Sequence, residues 1–245
     1  MIDSLKKSFK AYSKKPFLFV WSTILYIFML LVFVFAAVGI FLSYFLFLSV
    51  FGQELNLESI PTLAVIGIIV FMLLFFLNGI NASLARAYSR AVEKKKTSLY
   101  QFYSFIMEKA PETFAVMLMR EVLWLLAVGP AIGIYIYFLE GIELMDWLIG
   151  LYALFMTFTI HMLFTPAFVL LGGFGSSLYN SLKYGLNFWR EKHIYFIGLY
   201  ILFAFAWLFN FIPFIQIPSL FFLYPVVYAA IVVMLRNSVT IEEEE

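Results

Sequence analysis

The chain has 245 residues, of which 64% are hydrophobic, 21% aromatic and 13% charged, with a formal net charge of +1. Soluble domains carry about 25% charged residues, so no sizeable water-soluble domain is accommodated, and the absence of cysteine excludes disulfide and thiolate-metal frameworks. A mean hydropathy of +0.97 points instead to one polytopic, all-α membrane domain covering residues 1–245.

Taken in order, the chain opens with a lysine-rich amphipathic stretch, residues 4–13, bearing Lys6, Lys7 and Lys10 and followed by Lys14 and Lys15. From Phe17 to Phe51 there is no Lys, Arg, Asp or Glu. At 1.5 Å per residue this run is about 52 Å of helix, against about 30 Å of hydrocarbon. It is too long for a signal-peptide apolar region and is read as a retained span that tilts, projects, or breaks near Gly39. Further apolar segments follow at about 63–86, 112–139, 144–171, 194–212 and 216–236, giving six transmembrane helices.

The connectors orient them. The first carries Glu54 and Glu58 and no cation, and the third carries Glu140, Glu143 and Asp146 and no cation. The second holds Arg86, Arg90, Lys94, Lys95, Lys96 and Lys109, and the fourth Lys183, Arg190 and Lys192. The fifth is uncharged, and Arg236 follows the last span. Cationic and cation-free connectors alternate, the positive-inside pattern of a multi-pass plasma-membrane protein with both termini in the cytoplasm.

Each cytoplasmic connector also contains a Ser-Leu start followed by an amphipathic stretch: 4–13, 98–108 and 177–190. These are expected as three interfacial helices with serine N-caps, preceding three hairpin repeats. Pro166 and Pro225 are expected to kink their spans, and Gly129-x-x-x-Gly133 with Pro130 to mark close helix packing with a kink. The glycines from Gly172 to Gly175 read as an interfacial bend, and the run Glu242 to Glu245 as a solvated tail or a partner for the basic face.

Ionisable and amide groups within apolar spans are functional candidates because they are costly there. Asn78 and Asn81 lie late in the second span, Arg120 and Glu121 early in the third, and His161 late in the fourth among Thr157, Thr159 and Thr165. All fall in the cytoplasmic half and form a candidate intramembrane polar cluster. Each also has a plainer reading: amide glue between helices, an arginine reaching the headgroups, a neutral core histidine. Adjacent residues diverge by about 100° on a helix, so Arg120 and Glu121 are not expected to pair with each other. Glu121 is expected to face inward, toward Asn78, Asn81 or His161.

Thr165-Pro166-Ala167-Phe168, the glycine link, Ser177-Leu178-Tyr179-Asn180-Ser181-Leu182-Lys183 with Phe188-Trp189-Arg190, and Tyr224-Pro225 before Arg236 form a distinctive order. Residues 165–236 resemble prokaryotic six-span proteins related to the membrane domain of glycerophosphodiester phosphodiesterases. The resemblance implies the six-span fold and a prokaryotic source. It carries over no catalytic residue, because the phosphodiesterase domain has no counterpart in this chain.

No zinc-protease His-Glu-x-x-His, nucleophile elbow or phosphate-cradling glycine loop occurs, and no cofactor or catalytic or metal site is expected. His161 and His193 lie at different places and lack further ligands for zinc. The expectation is a non-enzymatic membrane module for assembly or lipid association. Its partners would be anionic headgroups at the cytoplasmic face and a second copy or another membrane protein, and not nucleic acid. The alternative is a small transporter or channel using the polar cluster. Abundant Ile, Tyr, Lys and Glu without cysteine suggest a thermophile.

Overall fold

The computed structural model describes all residues except 54, 57, 58, 140, 141, 211 and 245, together with all side chains of the remainder except those of 139, 143, 237 and 239–244. The acidic loop residues Glu54, Glu58 and Glu140, the side chain of Glu143 and the side chains of the glutamate tail therefore lie outside the described residues.

Among the described residues the chain is all-α, with no strand: α1 (Ile2–Lys14), α2 (Pro16–Val50), α3 (Ile60–Val92), α4 (Leu99–Ile134), α5 (Glu143–Phe174), α6 (Leu178–Phe209), a one-turn α7 (Gln216–Pro218) and α8 (Tyr224–Glu244). Tyr135–Leu139 and Ser219–Leu223 are π-helical turns. Six helical segments are long and apolar enough to cross a membrane: Pro16–Val50, Ile60–Val92, Leu99–Phe138, Leu144–Phe174, Leu178–Phe209 and Gln216–Arg236.

Local chemistry sets the boundaries. Pro16 opens α2, where a missing N–H costs nothing. The helix runs unbroken through Gly39 and ends where Gly52, at φ 65°, turns the chain so that Gln53 N–H reaches the Leu48 carbonyl at 2.9 Å. Ser59, Ser98 and Ser177 cap α3, α4 and α6, and Ser98 forms a full capping box with Gln101.

The expected interfacial segments resolve differently. Residues 2–14 form a separate helix, but Ser4 is not its cap; Ser4 and Ser8 are buried. Segments 98–108 and 177–190 are not helices of their own. They are the opening turns of α4 and α6, continuous with the spans. Nothing between them and the apolar runs stops a helix. Pro111 sits inside α4 on an exposed face, so the carbonyl it frees, that of exposed Met107, faces outward rather than into the packing. Phe105 and Ile106 pack on Arg86 and Gly79, which sets this part of α4 antiparallel to α3.

The helices pair as three hairpins, α2–α3, α4–α5 and α6–α8, and the cationic connectors gather at one end. Trp21 Nε1–H donates to the Thr97 carbonyl at 2.9 Å, Lys96 Nζ lies 4.9 Å from the centre of the Trp21 ring, and Arg236 meets Glu93. The core sits toward this basic end. Only 6% of the most apolar stretch of α3 is buried, yet its later residues from Asn78 to Leu84 are nearly all enclosed, whereas 61% of the corresponding stretch of α8 is buried. Small residues allow this. A Cβ on Gly172 would strike the Ala82 backbone, and one on Gly79 would meet the Ile106 carbonyl at 3.0 Å. A Cβ on Gly129 or Gly133, by contrast, would meet no neighbouring helix, so the expected glycine-dependent close packing is not found there. Gly175, in the left-handed conformation, makes the bend after α5. Within the core Phe19, Tyr88 and Tyr228 pack ring to ring, and Tyr88 shares a 2.8 Å hydrogen bond with Thr23.

Prolines lie within three helices, and an aromatic donor from another helix bonds a backbone carbonyl near each, in one case the carbonyl the proline frees. Pro225 has no N–H for the Phe221 carbonyl four residues back; Tyr12 Oη donates to it at 2.8 Å, while Ser8 Oγ donates to the Val226 carbonyl at 2.6 Å. Near Pro166, Trp189 Nε1–H donates to the Leu163 carbonyl at 3.1 Å. Near Pro130, Tyr152 Oη donates to the Ala127 carbonyl at 2.9 Å. Helix α1 is thereby keyed to α8.

Tyr12→Phe keeps the ring contacts with Phe19 and Phe222 and removes only the donor. It should cost about 1–3 kcal/mol, the desolvation penalty of an unsatisfied carbonyl. Unfolding in mixed micelles measures this, and an unchanged midpoint would show that the hydroxyl is not what holds α1 in place.

Candidate functional site

The candidate residues lie on a ladder between α4 and α5. Antiparallel pairing places residues whose numbers total about 280 opposite one another, and four polar rungs follow this rule. Tyr135 bonds Asp146, Tyr152 bonds the Ala127 carbonyl, Trp124 Nε1–H donates to Thr157 Oγ1 at 2.7 Å, and Arg120 Nη1 reaches His161 Nδ1 at 3.4 Å. Thr157, Thr159 and Thr165 additionally donate to carbonyls one turn back on α5. Between helices in lipid, such polar contacts act as glue because lipid supplies no competing hydrophobic drive.

Arg120 occupies the last rung. Its Nε and Nη2 both donate to Glu121 Oε1, at 2.9 and 2.5 Å, and its guanidinium carbon lies 5.8 Å from the centre of the Phe168 ring. The expectation that these neighbours cannot pair is therefore corrected. Their Cβ atoms diverge, but both side chains are long enough to fold back along the helix surface. The inward orientation of Glu121 is corrected too: its side chain is 47% exposed and that of Arg120 17%. The arginine, with several donors, serves the carboxylate outside and the imidazole inside together. Since a guanidinium only donates, Nδ1 of His161 accepts and the proton belongs on Nε2.

The other two candidates stand apart. Asn78 is buried, and its Nδ2 donates to the Leu74 carbonyl at 2.6 Å and to Met117 Sδ at 3.0 Å. Asn81 is half-buried, and no hydrogen bond joins either asparagine to the three among the described residues. His193 contacts the Trp189 carbonyl at 3.2 Å, away from His161. Among the described residues no group of three or more metal-ligating side chains is assembled.

Two features at the basic end escaped the sequence pattern. One is a clamp: Glu93 accepts from Lys95 Nζ at 2.9 Å and from Arg236 Nη1 at 2.5 Å, tying the end of α8 to the α3–α4 turn. The hydrogen bond from Lys95, with that from Arg236, holds the Glu93 carboxyl below the ordinary glutamate range. The other is a cavity of 210 Å³ between α3 and α4, with Arg86 and Arg90 in its wall. Only the cationic run 86–96 could have signalled either: the clamp depends on which connector the last span meets, and the cavity on how α3 and α4 fold together.

No protein-family model, curated protein or solved structure matches this chain.

A double-mutant cycle on Trp124→Phe and Thr157→Val should give a coupling of about 0.6 kcal/mol, within an upper bound of about 1.7, as for other membrane rungs. Zero coupling at Trp124–Thr157 would remove the ladder as a source of hairpin stability.

The Glu93 clamp has a definite pH sign. A carboxylate with a depressed folded value contributes stability above its unfolded value of about 4.3, and loses it as pH falls through the lower folded value. With Glu93 29% and Arg236 49% exposed, the size is about 0.2–1 kcal/mol. Arg236→Gln should flatten the acid limb of the stability–pH curve. An acid limb identical to wild type would show the clamp to be energetically idle.

Proposed function

We propose that this protein is a non-enzymatic, multi-pass module of the plasma membrane, with both termini in the cytoplasm. In this reading it associates with anionic lipid and assembles with a second copy or another membrane protein. The observation that carries the proposal is the division of the molecule. Exposed lysines at 6, 7, 10, 14, 15, 94, 95 and 96 belong to the compact end, while the remaining lengths of α2 to α5 expose Phe, Leu, Ile and Val. Each cation near an anionic bilayer surface adds about 1 kcal/mol of attraction. Kinship with the phosphodiesterase-related six-span proteins, and a prokaryotic, thermophilic source, belong to the same proposal.

A small transporter is the second reading, favoured by Arg120 and His161 in contact within apolar helices. The ladder supports the first reading over it, because the same register runs through Trp124–Thr157 and Tyr152–Ala127, which are interhelical ties.

Single-cysteine labelling tests the orientation directly. With an impermeant maleimide added outside intact cells, Asn56→Cys and Glu143→Cys should react and Lys95→Cys should not. The reverse pattern would overturn the topology. Retention of phosphatidylglycerol over phosphatidylcholine, read by native mass spectrometry, should favour the anionic lipid. Specific solute flux in sealed vesicles that Arg120→Gln abolishes would replace the first reading with the second.

A further inference from the structure

Three residues that each hold a buried side-chain atom without a hydrogen-bond partner among the described residues wall one cavity. The atoms are Ser83 Oγ, Arg90 Nε and Thr97 Oγ1, set behind the surface of the 210 Å³ space between α3 and the start of α4. Ser83 is 2% exposed and Thr97 5%. Leaving such groups unsatisfied is costly, and their concentration in one polar-walled space marks a place built for an occupant. At about 30 Å³ per water, the space holds roughly seven waters, ample for a tetrahedral anion with its first solvent.

The wall specifies the charge of that occupant. Arg86 and Arg90 both line the space, and neither has a carboxylate partner among the described residues. Arg86 holds its guanidinium carbon 4.1 Å from the centre of the Phe105 ring, a contact that consumes no hydrogen-bond donor. Arg90 gives one Nη2–H to the Lys96 carbonyl at 3.1 Å, which orients its fork while Nε stays unengaged. Against two guanidinium groups stands one carboxylate of the wall, Glu108, which is exposed. Two planar forks and two hydroxyls, coming from α3 and the turn after it, suit an acceptor with several oxygens.

We propose that this cavity binds a phosphate group, held by Arg86 and Arg90 with Ser83 and Thr97, and that its source is the headgroup of an anionic lipid. The source rests on the lipid-association reading above. The arginines follow the last apolar turns of α3, where headgroups lie if that end faces the cytoplasm. The phosphate chemistry itself does not depend on that reading, because soluble phosphate meets the same donors.

The full-length protein in neutral detergent should be titrated separately with short-chain phosphatidylglycerol, inorganic phosphate and phosphate-free diacylglycerol, reading thermal midpoint and native mass. Phosphatidylglycerol should raise the midpoint saturably, and diacylglycerol should not. Arg86→Gln with Arg90→Gln should weaken binding at least tenfold. Arg86→Lys with Arg90→Lys, which keeps charge but loses the fork, should fall between. Ser83→Ala supplies the readout that a merely structural role would not move: it should weaken binding while leaving the ligand-free protein as stable as wild type or more so.

Saturation by inorganic phosphate that displaces the lipid upholds the phosphate site; lipid binding that phosphate fails to displace, yet the arginines control, upholds it with the headgroup as source. Equal affinity in wild type and the Arg86/Arg90 glutamine variant would overturn the site while leaving the lipid-association reading intact. A wild-type protein with no preference for anionic lipid, yet with arginine-dependent phosphate binding, would overturn that reading and not the site. Binding of neither ligand would overturn the site.

Discussion

A peptide carbonyl that loses its N–H partner inside a membrane must find another donor from the protein, because lipid offers none. In this bundle another helix meets it at Pro225, which leaves the Phe221 carbonyl without its N–H and receives the Tyr12 hydroxyl of α1 there. Tyr152 on α5 and Trp189 on α6 likewise donate to the Ala127 and Leu163 carbonyls, close to Pro130 and Pro166. Each tie is also an address. A tyrosine or tryptophan brings a long, rigid, mostly apolar arm with one polar atom at its end, so it crosses the interhelical space without burying further unsatisfied groups. The N-terminal helix shows the consequence most plainly. Its sequence of lysines and small residues reads as a surface segment, yet Ser8 and Tyr12 bind the backbone of α8 and its preceding turn.

The two ends of the bundle are held by different forces. Where apolar side chains meet lipid, burying them against one another gains little from the hydrophobic effect. There the hairpins stay together by rungs such as Tyr44–Thr62, Trp124–Thr157 and Tyr152–Ala127, and by ring stacks such as Phe33–Phe76. Toward the basic end the packing is dense and the residues smaller. Ala82, Ala85, Ala87 and Ala91 on α3 let α8 and its neighbours close in, and the Gly172 contact allows α5 to lie against the Ala82 backbone. Dense packing at that end and sparse ties elsewhere are one solution to a chain that spans two solvents.

The sequence made the six spans legible because charge exclusion is a property of composition, visible without any fold. It also carried the helix starts at Ser98 and Ser177, whose capping is local. It did not carry the join between amphipathic and apolar stretches in α4 and α6, since no residue there announces whether the helix continues. Nor did it carry the fate of Glu121. The argument from Cβ directions was sound for short side chains and failed because arginine and glutamate reach back across the angle. Gly129 and Gly133 show the same limit in reverse. Their spacing fits close packing, but α5 meets this stretch of α4 at Ala127 and Tyr135, and a Cβ on either glycine would meet no neighbouring helix.

The two arginine sets separate by the same reasoning. Arg120 reaches a carboxylate, an imidazole and an aromatic face within its own hairpin, so its charge is answered inside the structure. That is how a bundle tolerates a cation in an apolar helix, and it makes the Arg120 cluster a tie. Arg86 and Arg90 have an aromatic face and one carbonyl between them, beside two buried hydroxyls that donate to nothing. The chain has 16 cations and 15 acids, and at the neighbouring turn Glu93 is taken up by Lys95 and Arg236. The only acid on the cavity wall, Glu108, is exposed and forms no ion pair among the described residues. Polar groups satisfied within the fold explain the fold; those left converging on a space, with charge of one sign in excess, are explained by what enters it.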